Sequence, residues 1–213
     1  MLIDPSLTEL RSVNGEEILT GGTIPLVYFN QSDPEWADKP YGSDPIGRYG
    51  CGPTAMAMVV SSLCDEPVTP SEMAALAAKQ GYCAKGHGSY LSIVNGIARA
   101  YGLESKAIDE LSVDAVYDAL LSGDMLVALE GPGHFTNGGD FIVLRGGTLT
   151  GKLLVADPAR KEGSLMEWDP PLVLDELSPS RSNGAPLWGN SPPGTLENQD
   201  PHGGVPPGAR PFF

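Results

Sequence analysis

The chain has 213 residues, is 41% apolar and carries a formal net charge of -14 at neutral pH. That length supplies one substantial core and falls short of two large domains. The charge, with no Lys/Arg cluster against it, argues against nucleic-acid binding. No apolar run approaches the ~20 residues needed to cross a bilayer, so no membrane insertion is expected.

The start, MLIDPSLTELRSVNGEEILTGG, has neither the basic nor the apolar region of an export signal. The chain therefore reads as soluble. It is cytoplasmic as written, or secreted or at the cell surface if an upstream signal was removed. Three cysteines, Cys51, Cys64 and Cys83, include no CxxC pair, which speaks against a disulfide framework or a metal cage. Cys64 and Cys83 read as small packed residues, with a bridge between them left open. No cofactor is implied, and the oligomeric state is unknown.

In chain order, residues 1–22 are polar, lack sustained periodicity and read as an N-terminal extension. The run TIPLVYFNQ then signals a buried strand, so the ordered domain is expected to begin near Thr23. Ser32 to Tyr49 is rich in Asp, Pro and Gly and reads as a loop. After Pro53 the stretch TAMAMVVSSL predicts a buried helix starting beside Cys51. Further helices are expected over Ser71–Gln80, Tyr90–Tyr101 and Val113–Ser122, each closed by a glycine. MLVALE, DFIVLRG and KLLVADP then read as strands of an antiparallel meander. Helices first and strands afterwards indicate an α+β fold. A domain over 23–188 and a Pro/Gly-rich tail over 189–213 complete the organisation, since the tail cannot bury enough to offset its ordering entropy.

A cysteine just before a Gly-Pro helix start has a chemical use, because free backbone N–H groups and the positive helix end stabilise a thiolate nucleophile. Gly50 and Gly52 would let a substrate carbonyl approach the sulfur. On GCGP alone, a buried structural cysteine is an equal reading. Gln31, at the end of VYFNQ, could donate an N–H to an oxyanion or be an ordinary polar strand end.

The ordered segments VYFNQSDPEWADKPYG, YGCGPTAMAMVVSSL, VTPSEMAALAAKQGY, GPGHFTNGGDFIVLRG and KLLVADP, spanning about Ile24 to Leu177, resemble the peptidase family related to bacteriocin-processing double-glycine peptidases. The resemblance implies a papain-like cysteine peptidase fold, with a helical part whose cysteine starts a helix packed on an antiparallel sheet. It implies Cys51 as nucleophile, Gln31 as oxyanion-hole donor and Asp157 as the acid that orients the catalytic histidine. Asp157 also reads as a turn residue before Pro158.

The residue before FIVL is the histidine in the family and Asp140 here. A carboxylate with an ordinary pKa of about 4 is a poor proton shuttle at neutral pH, and its charge raises a thiol pKa. Simple replacement predicts a weak or dead hydrolase. Of the remaining histidines, His202 lies in the tail and His87 in the GHGSY loop, where it could fold over the cleft and contact substrate. His134, in GPGHFTNGGD, is the candidate rescuer. A three-residue Asn137-Gly138-Gly139 turn would put His134 and Asp140 on one face of the hairpin, and a two-residue turn would put them on opposite faces.

The expected function is cysteine-dependent hydrolysis of peptide or related amide bonds through an acyl-thioester on Cys51, with a peptide or protein substrate. The alternative is a catalytically impaired descendant that keeps the cleft as a peptide- or partner-binding module. Asp140 motivates it.

Overall fold

The computed structural model describes residues 8–22, 24–64, 67–181 and 186–192. The first regular structure is earlier than expected. Strands β1 (Leu10–Val13) and β2 (Glu16–Leu19) form a hairpin that extends onto β3 (Leu26–Val27). The expectation of order beginning near Thr23 is corrected by two contacts that lie far away in sequence. Leu19 is buried in the core, and the Arg145 guanidinium donates to the carbonyls of Thr20 and Gly21 and to Thr8 Oγ1.

The Asp/Pro/Gly-rich segment that follows is mostly loop but holds the two-residue strands β4 (Pro40–Tyr41) and β5 (Asp44–Pro45) and the single turn α1 (Ile46–Tyr49). Then comes α2 (Cys51–Leu63), whose residues 51–60 are all buried. A helix apolar on every side belongs at the centre of a molecule. Around it stand α3 (Pro70–Lys79), the hairpin of β6 (Cys83–Ala84) and β7 (Gly88–Ser89), and α4 (Ile93–Ala100). The start of α3 is set one residue before its proline. Thr69 Oγ1 accepts from the Glu72 N–H at 3.3 Å, and Glu72 Oε2 accepts from the Thr69 N–H at 2.9 Å, a reciprocal capping box.

The second half supplies β8 (Glu104–Ala107), α5 (Val113–Leu121), β9 (Met125–Glu130), β10 (Asp140–Gly147), β11 (Leu153–Ala156), α6 (Lys161–Ser164), β12 (Glu167–Trp168), α7 (Pro170–Asp175) and β13 (Leu187–Ser191). β9 to β12 form the expected antiparallel meander within a six-stranded sheet of order β12-β11-β10-β9-β13-β8. Side chains alternate across it with period two. Met125, Val127, Leu129, Phe141 and Val143 face the α2 core, whereas Leu126, Ala128, Ile142 and Leu144 pack with Val116 and Leu120 of α5 and Val173 of α7.

The 189–213 tail also needs correction at its start. Residues 187–191 form β13, between β9 and β8, with Leu187, Trp188 and Asn190 buried. A strand containing Gly189 and Asn190 has weak intrinsic preference, and pairing on both sides overrides it. Residues 193–213, including His202, lie outside the described residues. All three cysteines are free, so the Cys64–Cys83 bridge is not formed.

Candidate active site

Cys51 is the first residue of α2, which packs its N-terminal end against β10 and β7. The glycines beside it serve packing instead of opening the sulfur to a substrate. A Cβ at Gly52 would meet Ser89 Oγ at 2.4 Å, and one at Gly50 would meet the Ile46 carbonyl oxygen at 2.6 Å. The thiol is accordingly enclosed, with Cys51 only 8% exposed.

Asp140, at the first position of β10, lies close enough to the Cys51 thiol for its carboxyl to act on it. The thiol pKa is pushed up to about 12, first by burial and then by the charge and hydrogen bond of Asp140. Backbone N–H groups of Phe141 and Gly52 act in the opposite direction. The thiolate-stabilising helix start expected from GCGP is thus outweighed, because peptide dipoles contribute less than desolvation beside a carboxylate. The Asp140 carboxyl is itself raised by burial, opposed by hydrogen bonds from Thr136 and Cys51 and by the Arg160 charge.

Arg160 is the residue the sequence reading missed. Its Nε lies 3.3 Å from Asp157 Oδ2, and its Nη2 donates to the His134 carbonyl at 2.6 Å. The signal was available as an acid and a base three residues apart in DPAR. Asp157 also accepts at Oδ1 from the N–H groups of Ala159 and Arg160, at 2.8 and 3.1 Å, closing the turn after Pro158. Its partners are therefore the backbone of that turn and the Arg160 guanidinium. Burial raises its pKa.

Neither hairpin register expected for His134 is present. Glu130 pairs with Asp140, so residues 131–139 make the whole connection, with an internal bridge between Pro132 and Thr136. Within that loop the His134 N–H donates to Glu176 Oε2 at 2.7 Å, and Nδ1 lies 2.5 Å from Glu176 Oε1. Gly133 permits this approach, since a Cβ there would sit 2.2 Å from the Glu176 carboxyl carbon. The His134 side chain is 63% exposed and is held by Glu176, whereas the carboxyl acting on the Cys51 thiol is that of Asp140.

Gln31 is buried at 6% exposure in the loop after β3. Its backbone N–H donates to the Pro158 carbonyl at 2.8 Å and its Nε2 to the Gly47 carbonyl at 3.1 Å. Its Oε1 has no partner among the described residues. One amide N–H is thus occupied by the α1 backbone and the second is left for another acceptor. Across α2, the Tyr41 hydroxyl meets Ser89 Oγ at 2.7 Å. Among the described residues no group of three or more His, Cys, Asp or Glu side chains could hold a metal.

The peptidase domain of Streptococcus ComA, described as a bi-functional ABC transporter involved in a quorum-sensing pathway, matches with a TM-score of 0.49 and 16% identity over 68% of this chain and 93% of that one. No curated protein matches. The Peptidase_C39 like family matches residues 23–176, a span from just before β3 to just beyond α7 that contains Gln31, Cys51, Asp140 and Asp157. The helical half with a cysteine at the start of its central helix, packed on an antiparallel sheet, is the papain-like arrangement of such peptidases, and this chain belongs to the Peptidase_C39 like family.

Proposed function

We propose that this domain binds peptides in a cysteine-peptidase cleft beside Cys51, and that burial together with the neighbouring Asp140 holds the thiol protonated, so that the folded domain retains peptide instead of hydrolysing it rapidly. Family membership suggests cysteine peptidase activity and a peptide as ligand. The observation that carries the rest is the enclosed Cys51 thiol with the Asp140 carboxyl beside it, the thiol being pushed up to about 12 by burial first and by that carboxyl second. At pH 8 that leaves roughly one thiolate in ten thousand. The nearby cation, Arg160, is paired with Asp157, and His134 is paired with Glu176.

The test is anisotropy of labelled Gly-Gly peptides alongside their turnover, in the wild type and in Asp140→His/Arg160→Ala. The double variant supplies an imidazole and frees Asp157 to orient it. Peptide binding with negligible wild-type turnover, and faster alkylation of Cys51 at neutral pH in the double variant, support the proposal. Rapid wild-type cleavage that Cys51→Ala abolishes would overturn it.

That outcome would establish the second reading, a cysteine hydrolase with a rearranged proton path. Its support is the nucleophile at a helix start, the Phe141 N–H directed at the sulfur and the remaining N–H of Gln31. In that reaction the thiol proton passes to the Asp140 carboxylate as sulfur attacks the carbonyl. The amine then departs with that proton, and water releases the acyl group from the thioester.

A further inference from the structure

The β6–β7 hairpin and the segment after α7 line a cavity of about 480 Å³ with Lys85, His87, Ser89, Tyr90, Leu91 and Ser180. It reaches toward the start of α2, because Ser89, one of its lining residues, packs against Gly52 next to Cys51. Its local charge is opposite to that of the chain. Lys85 and His87 are exposed on one side, and no carboxylate lines the cavity. On the other side Arg181 follows Ser180 and is also exposed, with Nη1 donating to the carbonyls of Ser178 and Ser180. Asp44, the acid beside the hairpin, accepts from the Gly86 N–H at 2.6 Å. By contrast, a second cavity of about 250 Å³ is bordered by Glu16, Glu17, Asp33 and Glu35.

We infer that the cavity beside Ser89 is a subsite for an acidic residue, so that the peptide taken up next to Cys51 carries an Asp or Glu side chain there. The inference rests on the proposed peptide cleft and names its substrate class. Lys85, which lines the cavity, and Arg181, which follows the lining residue Ser180, supply positive charge for a carboxylate, and Tyr90, 55% exposed, covers the aliphatic part of the bound residue. The charge of -14 repels an acidic peptide at long range. Physiological salt screens beyond ~8 Å and leaves the local cations to decide.

The experiment uses labelled, C-terminally amidated Gly-Gly peptides of equal length bearing either Asp/Glu or the isosteric Asn/Gln, with anisotropy read at about 0.15 M salt. The acidic peptide should bind wild type about five-fold tighter than the amide, and Lys85→Gln/Arg181→Gln should narrow that preference below about two-fold. Equal binding of the two peptides to wild type, or a preference that survives the double substitution, overturns the inference while leaving the peptide cleft standing. Tyr90→Ala should weaken both peptides. Affinities that Tyr90→Ala does not change overturn the subsite, whereas if neither peptide binds the cleft reading itself fails and takes the subsite with it.

Discussion

Asp140, the first residue of β10, stands beside Cys51, the first residue of α2, where the two elements meet. A carboxylate beside a thiol stabilises the protonated sulfur and not the thiolate.

Asp140→Asn removes the charge while keeping a side chain of the same shape. The thiol pKa should fall from about 12 but stay above its ordinary value, since burial, the largest cause of the shift, remains. Iodoacetamide alkylation of Cys51 at pH 8 to 9 should accelerate roughly ten-fold or more, each unit of pKa being a factor of ten in thiolate. A pH–rate profile identical to wild type would show that Asp140 does not control the thiol.

His134→Ala should leave that alkylation profile unchanged, because the His134 ring is engaged by Glu176. Its side chain is 63% exposed, so loss of the ion pair should cost under about 1 kcal/mol in urea denaturation. A ten-fold fall in thiol reactivity would instead make His134 the base.

Glu130 should make stability fall with rising pH. It is fully buried, neither carboxylate oxygen has a partner among the described residues, and burial followed by the Glu176 charge raises its pKa from 4.5 to about 8. Between those values the folded state holds a proton that the unfolded state has released. Stability is therefore lost progressively from pH 4.5 up to about 8 and then levels. From pH 6 to 9 wild type should lose roughly 2–3 kcal/mol relative to Glu130→Gln. Parallel stability profiles for the two proteins would refute this.

Arg145→Met should release the N-terminal hairpin. The guanidinium is 1% exposed and spends its donors on the carbonyls of Val155, Thr20 and Gly21 and on Thr8 Oγ1. Methionine keeps much of the volume and none of the donors, at a cost of about 2 kcal/mol or more. Amide exchange over Leu10–Leu19 should rise much more than exchange in β9. Unchanged protection of the hairpin would show that β3 pairing alone holds it.

The local pattern of the sequence determined much of this protein. The apolar run after Pro53 predicted α2 and its start beside Cys51, glycines closed the helices, and short apolar runs between Gly-rich turns marked β9 to β11. These are short-range consequences of side-chain spacing and backbone preference, and so are readable along the chain. The ordered motifs also carried the family and the position of Asp140. Tertiary structure alone decided what those residues touch. β13 exists as a strand because β8 and β9 pair with it, and the β1–β2 hairpin is held by Arg145 from the far side of the sequence. The length of the β9–β10 connection assigned His134 to Glu176, and the turn after Asp157 brought Arg160 onto its carboxylate. Strand register, charge pairing and desolvation depend on groups distant in sequence, which is why the place of Cys51 at the start of α2 could be read from the chain and the burial of its thiol could not.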